Sequence, residues 1–105
     1  MKNYNVSFSP SFINMFKDVL IKCIDFNYIY ALKIEKRVYK DIALLKIFPY
    51  ATPTIKFRGD PEIYRKFIVA KRFLIIFQIF DDTIQLQYFI DGRQNSKNYF
   101  KLYKK

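Results

Sequence analysis

The sequence contains no histidine, which excludes any mechanism in which imidazole is the acid, the base or the metal ligand. It has a single cysteine, Cys23, which forms no intramolecular disulfide and favours a reducing compartment. Its two glycines, Gly59 and Gly92, stand alone, so the chain has no glycine-rich loop for nucleotide phosphates. The chemistry of nucleotide hydrolases is therefore excluded.

Clusters of metal ligands and long hydrophobic runs are missing as well. The only adjacent carboxylates, Asp81 and Asp82, occupy a predicted turn, and Cys23 falls on an apolar helical stripe. No window of the sequence reaches the roughly 18 uncharged apolar residues of a membrane span. We therefore expect a cytoplasmic protein without a metal, a cofactor, a small-molecule substrate or a membrane partner.

Acidic residues are scarce relative to basic ones. Nineteen Lys and Arg stand against nine Asp and Glu, which gives the 105-residue chain a net charge of +10. Seven basic and two acidic residues give +5 over residues 33–58, and five basic and one acidic residue give +4 over residues 83–105. The second region includes a basic tail at about 96–105. Such a surplus in a single domain of residues 1–105 indicates a polyanionic or acidic partner.

The first half of the chain predicts a strand followed by two helices. Apolar and polar residues alternate over residues 4–8, as in a half-buried strand. Ser9 is a typical helix N-cap, and apolar residues then recur at three- and four-residue spacing until Pro49. A single helix of that span would be about 57 Å long, which exceeds a domain of this size. We therefore expect a break within residues 27–31, where Asn27 can adopt the left-handed conformation.

The second half predicts a loop and a three-stranded meander. Residues 49–61 hold three of the four prolines and form the loop. The strand-like runs that follow, separated by two-residue turns, cover residues 64–69, 72–80 and 83–90. The middle run is apolar on both alternating faces and should be the central strand. In the last run the alternation places Ile84, Leu86, Tyr88 and Ile90 on one face.

These elements define an α+β fold with the order β-α-α-β-β-β. A helical hairpin is expected to pack on one face of a mainly antiparallel sheet. The other face is expected to be partly polar, because Gln85 and Gln87 point away from the apolar residues of the last strand.

Two arginines interrupt or end apolar strands. Arg65 lies inside a predicted strand, where its charge must face solvent, a partner or a buried acid, and Lys66 points to the other face. Arg93 ends the last strand, and Lys56 and Arg58 lie in the proline-rich loop. The planar guanidinium suits phosphate or carboxylate, so we expect Arg65 and Arg93 to converge on the partly polar face of the sheet.

The chain contains in order the segments "YNVSFSPSF", "LLKIFPYATP" and "YRKFIVAKRFLIIFQIFDDTIQLQYFIDGRQN". Their combination resembles the RelE/ParE superfamily of bacterial type II toxin–antitoxin toxins, in particular its ParE-like, plasmid-stabilisation branch. The resemblance covers nearly the whole chain. It implies a growth-inhibiting toxin that a cognate antitoxin neutralises.

The resemblance leaves the target open. ParE-like members inhibit DNA gyrase without chemistry of their own, and Asp91, which stands where some nuclease members have histidine, favours this function. The alternative is a RelE-like, metal-independent cleavage of mRNA on the ribosome, in which Arg65 and Arg93 stabilise phosphate charge. Candidates for an assisting acid or base are Asp91, Tyr88, Glu62 and Tyr99. A second alternative is an inactive remnant that only binds its antitoxin.

The resemblance and the charges together predict a surface for binding the target or another anion. It comprises Lys56, Arg58, Arg65, Arg93, Gln94 and Asn95. The next candidate surface is the basic stretch from Lys33 to Lys46.

Overall fold

Two helices pack against a five-stranded mixed sheet in a computed structural model, which describes residues 3–57 and 59–92. The strands are β1 (Asn5–Phe8), β2 (Thr54–Ile55), β3 (Tyr64–Val69), β4 (Phe73–Phe80) and β5 (Thr83–Asp91). Their order across the sheet is β1-β5-β4-β3-β2; β1 runs parallel to β5, and all other neighbours are antiparallel. The predicted α+β class is confirmed, and β4 is the central strand.

The helices α1 (Pro10–Phe26) and α2 (Tyr28–Leu45) form the predicted hairpin, and the break falls at Asn27. The expected left-handed conformation of Asn27 is wrong, because its φ of −165° is extended. Its side-chain oxygen instead accepts a hydrogen bond from the backbone N–H of Tyr30 at 3.0 Å. Asn27 therefore ends α1 by acting as the N-cap of α2. Among the described residues, no helix is both long and apolar enough to cross a membrane.

The segment predicted as a loop contains two short regular elements. A 3-10 helix (Pro49–Ala51) is followed by β2, which pairs with β3 so that Thr54 lies opposite Arg65. The carbonyl oxygen of Pro53 accepts a hydrogen bond from the backbone N–H of Lys66 at 3.2 Å. Proline can precede an edge strand because its missing N–H would face away from the sheet. The chain thus has one more strand than the sequence predicted.

The main core lies between the helices and one face of the sheet. Aromatic rings meet at its centre, where the ring of Phe89 lies 5.7 Å from Phe12, 4.9 Å from Phe16 and 5.2 Å from Phe73. The buried apolar stripe of α1 consists of Phe12, Phe16, Val19 and Cys23. Cys23 is therefore a core residue, as its place in the stripe predicts.

A β-bulge at Gln87 interrupts the pairing of β4 with β5. Ile76 lies opposite Tyr88, but Phe77 lies opposite Leu86, so Gln87 is an extra residue in β5. A one-residue insertion of this kind reverses the face to which every later side chain points.

Because of the bulge, the alternation predicted for β5 is wrong for the residues after Leu86. Ile84 and Leu86 belong to the core under the helices, as does Phe89. Tyr88 and Ile90, predicted on the same face as Ile84 and Leu86, lie on the opposite, open face of the sheet. The two halves of β5 therefore contribute to different apolar clusters.

Ser9 links this bulge to the start of α1. Its hydroxyl accepts a hydrogen bond from the backbone N–H of Phe12 at 3.0 Å, which confirms the predicted N-cap. The same hydroxyl donates to the carbonyl oxygen of Gln87 at 2.8 Å. The backbone N–H of Ser9 donates to the carbonyl oxygen of Leu86 at 2.9 Å. One residue thus holds the helix end and the bulged strand together.

The turn between β3 and β4 places two side chains in the left-handed region. Ala70 has φ of 55° and Lys71 has φ of 57°, as in a type I′ turn, which favours glycine. Glycine relieves this strain in the folded state, but it also increases the conformational entropy of the unfolded chain. Because the first effect is larger in free energy, we expect Lys71→Gly to raise the free energy of unfolding by about 0.5 to 1 kcal/mol. Urea unfolding monitored by circular dichroism measures the change.

Asp81→Gly in the next turn is the matched control. Asp81 also has a positive φ, of 53°, but aspartate adopts this conformation more readily than lysine. Its gain in stability should therefore be smaller than that of Lys71→Gly. An unfolding midpoint of Lys71→Gly below that of the unsubstituted protein would contradict the prediction.

Candidate functional site

Arg65 points to the helix-covered side of the sheet, contrary to the expectation that it meets Arg93 on the open face. It lies opposite Phe77, a residue of the main core. Its Nη1 donates to the carbonyl oxygen of Thr52 at 2.6 Å and to that of Tyr50 at 3.4 Å. Its Cζ lies 4.8 Å from the centre of the Tyr50 ring. Arg65 therefore ties the segment that precedes β2 to β3.

Asp91 is buried in a bidentate ion pair with Arg72. The carboxylate is only 2% exposed. Arg72 donates from Nη2 to Oδ2 at 2.7 Å and from Nε to Oδ1 at 3.1 Å, and its Nη1 donates to the hydroxyl of Tyr30 at 3.1 Å. The hydrogen bonds that Arg72 donates to Asp91 raise the pKa of Arg72, so the guanidinium stays charged. A role of Asp91 as acid or base would first require this pair to break.

The β-bulge explains why Asp91 faces the helices. In an uninterrupted alternation from Leu86, Asp91 would point to the open face, but the extra residue Gln87 turns it to the other side. The ion pair and the hydrogen bond from Arg72 to Tyr30 join the turn before β4, the end of β5 and α2. Neither Arg72 nor Tyr30 was among the predicted site residues, because no local pattern connects positions so far apart.

Gly92 follows Asp91 for a steric reason. Its backbone N–H donates to the carbonyl oxygen of Arg72 at 3.0 Å. A Cβ atom at this position would lie 3.0 Å from the same oxygen, tighter than side chains normally allow. The Asp91–Gly92 dipeptide therefore closes the end of the sheet, with the side chain paired to Arg72 and the backbone packed against it.

The open face carries a second, smaller apolar cluster. Its buried members are Ile55, Tyr64, Leu74, Ile76 and Ile90. The ring of Phe57 covers part of this cluster and lies 4.8 Å from the ring of Tyr64 and 6.2 Å from that of Tyr88. One predicted site residue, Tyr88, therefore packs on the open face.

A hydrogen bond between Tyr64 and Asp60 borders this cluster. The Tyr64 hydroxyl donates to Oδ2 of Asp60 at 2.8 Å, and the backbone N–H of Glu62 donates to Oδ1 at 2.9 Å. These two donors lower the pKa of Asp60. Burial, followed by the contact with Asp60, raises the pKa of Tyr64 to about 12. Both groups are held in their ordinary protonation states near neutral pH, with Asp60 ionised and Tyr64 neutral.

The other predicted site residues are not part of the described structure. Arg58, Arg93, Gln94, Asn95 and Tyr99 lie outside residues 3–57 and 59–92. Within those ranges, no three His, Cys, Asp or Glu side chains are grouped so that they could hold a metal ion. Of the described candidates, Tyr88 packs on the open face, Lys56 and Glu62 lie near Asp60, Arg65 lies on the helix side, and Asp91 is in the interior.

A groove of about 410 Å³ is formed by β1, α1 and α2. Its walls are mostly apolar and include Phe8 and Ile13, each 41% exposed, and Tyr39, which is 52% exposed. Lys17 and Glu35 add one charge of each sign to the lining. Sequence analysis did not predict this groove, because it depends on how the helices sit beside β1.

Exposed apolar side chains continue around the turn of the helical hairpin. Phe26 at the end of α1 is 82% exposed, and Ile21, Tyr28 and Ile29 are each more than half exposed. Large exposed apolar patches commonly mark surfaces at which proteins bind partners. The helical side of the domain is therefore a candidate interaction surface.

The Arg72–Asp91 pair should contribute strongly to stability. We expect Asp91→Asn to lower the free energy of unfolding by about 3 to 5 kcal/mol, because it leaves the largely buried guanidinium without its counter-ion. In a double-mutant cycle with Arg72→Met, the combined loss should fall short of the sum of the single losses by about 1 to 3 kcal/mol. Urea unfolding of the four proteins gives the coupling, and strictly additive losses would show that the pair does not stabilise the fold.

Arg65→Ala should also weaken the fold, since its hydrogen bonds hold the segment before β2. We expect a loss of about 1.5 kcal/mol, the lower end of the range for hydrogen bonds from charged groups, because the site is partly exposed to water. Arg37→Ala is the matched control: Arg37 is exposed and forms only an i, i+4 pair with Asp41, so its loss should stay below about 0.5 kcal/mol. Equal melting temperatures of the two variants would contradict the assignment.

Comparison with known proteins adds no family to this picture. No protein-family model matches the sequence, and no curated protein matches it. The relation to the RelE/ParE superfamily is therefore a resemblance of motifs.

Proposed function

We propose that this protein is the toxin of a type II toxin–antitoxin module and inhibits DNA gyrase by binding, without chemistry of its own. The proposal rests on the motif resemblance and is supported by one structural observation in particular. A strongly basic domain exposes an apolar groove and an apolar hairpin turn on its helical side. Such a surface is suited to a partner that covers it.

The groove suits an amphipathic segment of an antitoxin. Phe8, Ile13 and Tyr39 offer apolar contacts, and an apolar stripe on a partner helix would bury them. The net charge of +10 favours a partner segment rich in acidic residues, because complementary charges speed association and exclude other partners. The expected partner is therefore a cognate antitoxin with an acidic, amphipathic segment.

The positions of the nuclease candidates favour binding over catalysis. General acid–base catalysis requires groups that converge within hydrogen-bond reach of one substrate. Arg65 is bound by backbone carbonyls on the helix side, and Asp91 is bound by Arg72, whereas Tyr88 lies on the opposite face. These three residues do not face a common substrate position. Inhibition of DNA gyrase by binding is therefore preferred to cleavage of mRNA.

Expression of the protein in bacteria without a partner should arrest growth. The control is the same gene with an early stop codon, which separates an effect of the protein from an effect of its transcript. Gyrase inhibition should induce the DNA-damage response and filamentation while mRNA stays intact.

Two other outcomes would contradict the proposal in different ways. If codon-positioned mRNA ends appear within minutes of induction, the protein acts by ribosome-dependent cleavage and not by gyrase inhibition. If cells grow normally at confirmed soluble expression, the protein is a remnant that only binds its antitoxin and not a toxin. Sequencing of mRNA 5′ ends and a reporter of DNA damage distinguish the three cases in one culture.

A further inference from the structure

The outward face of α2 is a continuous stripe of positive charge. Lys33, Lys36, Arg37 and Lys40 occupy positions i, i+3, i+4 and i+7, which places them on one side of the helix, and all four are exposed. The stripe is about 10 Å long at 1.5 Å per residue. The residues of α2 that are buried against the core, on the opposite side, are Ala31, Ile34, Val38, Ile42 and Leu45.

Acidic residues do little to neutralise this stripe. Asp41 binds Arg37, with Oδ2 3.2 Å from Nε. Glu35 lines the groove beside α1 and does not lie in the stripe. Lys33, Lys36 and Lys40 form no ion pair with any residue in 3–57 or 59–92.

The neighbouring helix shows that this concentration of charge is specific to α2. α1 carries two lysines and two aspartates, whose charges cancel. α2 carries three lysines and one arginine against one glutamate and one aspartate. The two helices belong to the same hairpin, so a general need for solubility would not place the surplus on one of them.

The stripe matches a dense, regular polyanion better than other acidic partners. Duplex DNA carries one negative charge per about 1.7 Å of helix axis, so each cation of the stripe can reach a phosphate. The aromatic side chain nearest to the stripe is Tyr39, at i+3 from Lys36, and it lines the groove beside α1. One ring at the edge is not a series of platforms on which unpaired bases could stack, which disfavours single strands. Exposed apolar residues, Ile29, Leu32 and Leu44, border the stripe at its ends and along one edge, but none lies between its four cations. A lipid surface is therefore a weaker candidate, because its binding requires an apolar face as well as the charges.

The shape of α2 favours binding to B-form duplexes over binding to A-form duplexes. An α-helix is about 10–12 Å across, and the major groove of B-form DNA is about 12 Å wide. The major groove of A-form RNA is too narrow for side chains to enter. We propose that the outer face of α2, through Lys33, Lys36, Arg37 and Lys40, binds the phosphate backbone of duplex DNA along the major groove. This activity goes beyond the proposed toxin function, since neither binding an antitoxin nor inhibiting gyrase requires it.

The affinity that phosphate contacts provide depends on the salt concentration and not on the DNA sequence. Three to four phosphate contacts give a slope of about −2.7 to −3.6 for the logarithm of affinity against the logarithm of salt concentration. Between 50 and 200 mM salt, the stripe alone therefore accounts for a loss of about 40- to 150-fold in affinity. Two duplexes of unrelated sequence should bind equally well.

The test measures binding of the purified full chain to a fluorescein-labelled 16-base-pair DNA duplex by anisotropy from 50 to 200 mM salt. The test variant replaces Lys33, Lys36, Arg37 and Lys40 with Gln. The control variant replaces four lysines outside α2 with Gln, namely the exposed Lys17, Lys22 and Lys71 and the half-buried Lys66. Both variants lower the net charge by four. A difference in their affinity for DNA therefore reports the position of the lost charges and not the total charge.

We expect the α2 variant to lose at least tenfold in affinity at 50 mM salt and to have a salt slope about 3 less steep, while the control variant loses less than threefold. Equal losses in the two variants would overturn the proposal in favour of general charge attraction. If the fourfold α2 variant melts below the unsubstituted protein, Lys33→Gln with Lys40→Gln leaves the Arg37–Asp41 pair intact and should reduce the slope by about 1.8.

Three competitors test the identity of the ligand. An RNA duplex of the same sequence, a poly-glutamate peptide and phosphatidylserine vesicles should each displace the DNA less effectively than unlabelled DNA duplex does. Displacement by any of them at concentrations equal to or below those of the duplex would overturn the commitment to DNA. Because the assay uses purified protein, its failure would leave growth arrest unchanged, and the two proposals can fail independently.

Discussion

The β-bulge at Gln87 is the constraint on which both faces of the sheet depend. The Ser9 hydroxyl caps α1 and also binds the carbonyl oxygen of Gln87, so the same group holds the helix and the irregular strand. Beyond the bulge every side chain of β5 points to the side opposite to the one that regular alternation would give it. Phe89 can therefore enter the aromatic centre of the main core, while Tyr88 packs on the open face.

The same reversal gives the end of β5 its structural role. Asp91 turns towards the helices and meets Arg72, and the guanidinium also contacts Tyr30 of α2. A buried carboxylate without such a partner would cost several kcal/mol, so the bulge and the ion pair require each other. The open face loses a charged residue as a result.

The surface of the domain divides into regions of different chemistry. The groove at β1, α1 and α2 is apolar, whereas the outer face of α2 is positively charged. An antitoxin segment and a polyanion could therefore occupy separate surfaces of the same helical hairpin. The described nuclease candidates are instead divided between the two sides of the sheet, which is why we propose binding and not catalysis.

The α+β class, the helical hairpin, the N-cap at Ser9 and the two turns follow from sequence alone, because periodicity, capping and turn chemistry act between residues close in the chain. β3 was predicted at its observed bounds, and β4 and β5 to within one residue. The position of β2, the side of the sheet reached by Arg65 and the partner of Asp91 are known only from the folded structure. A short edge strand, a bulge and an ion pair between distant residues arise from pairing across the sheet, and local sequence contains no information about which residue will lie opposite.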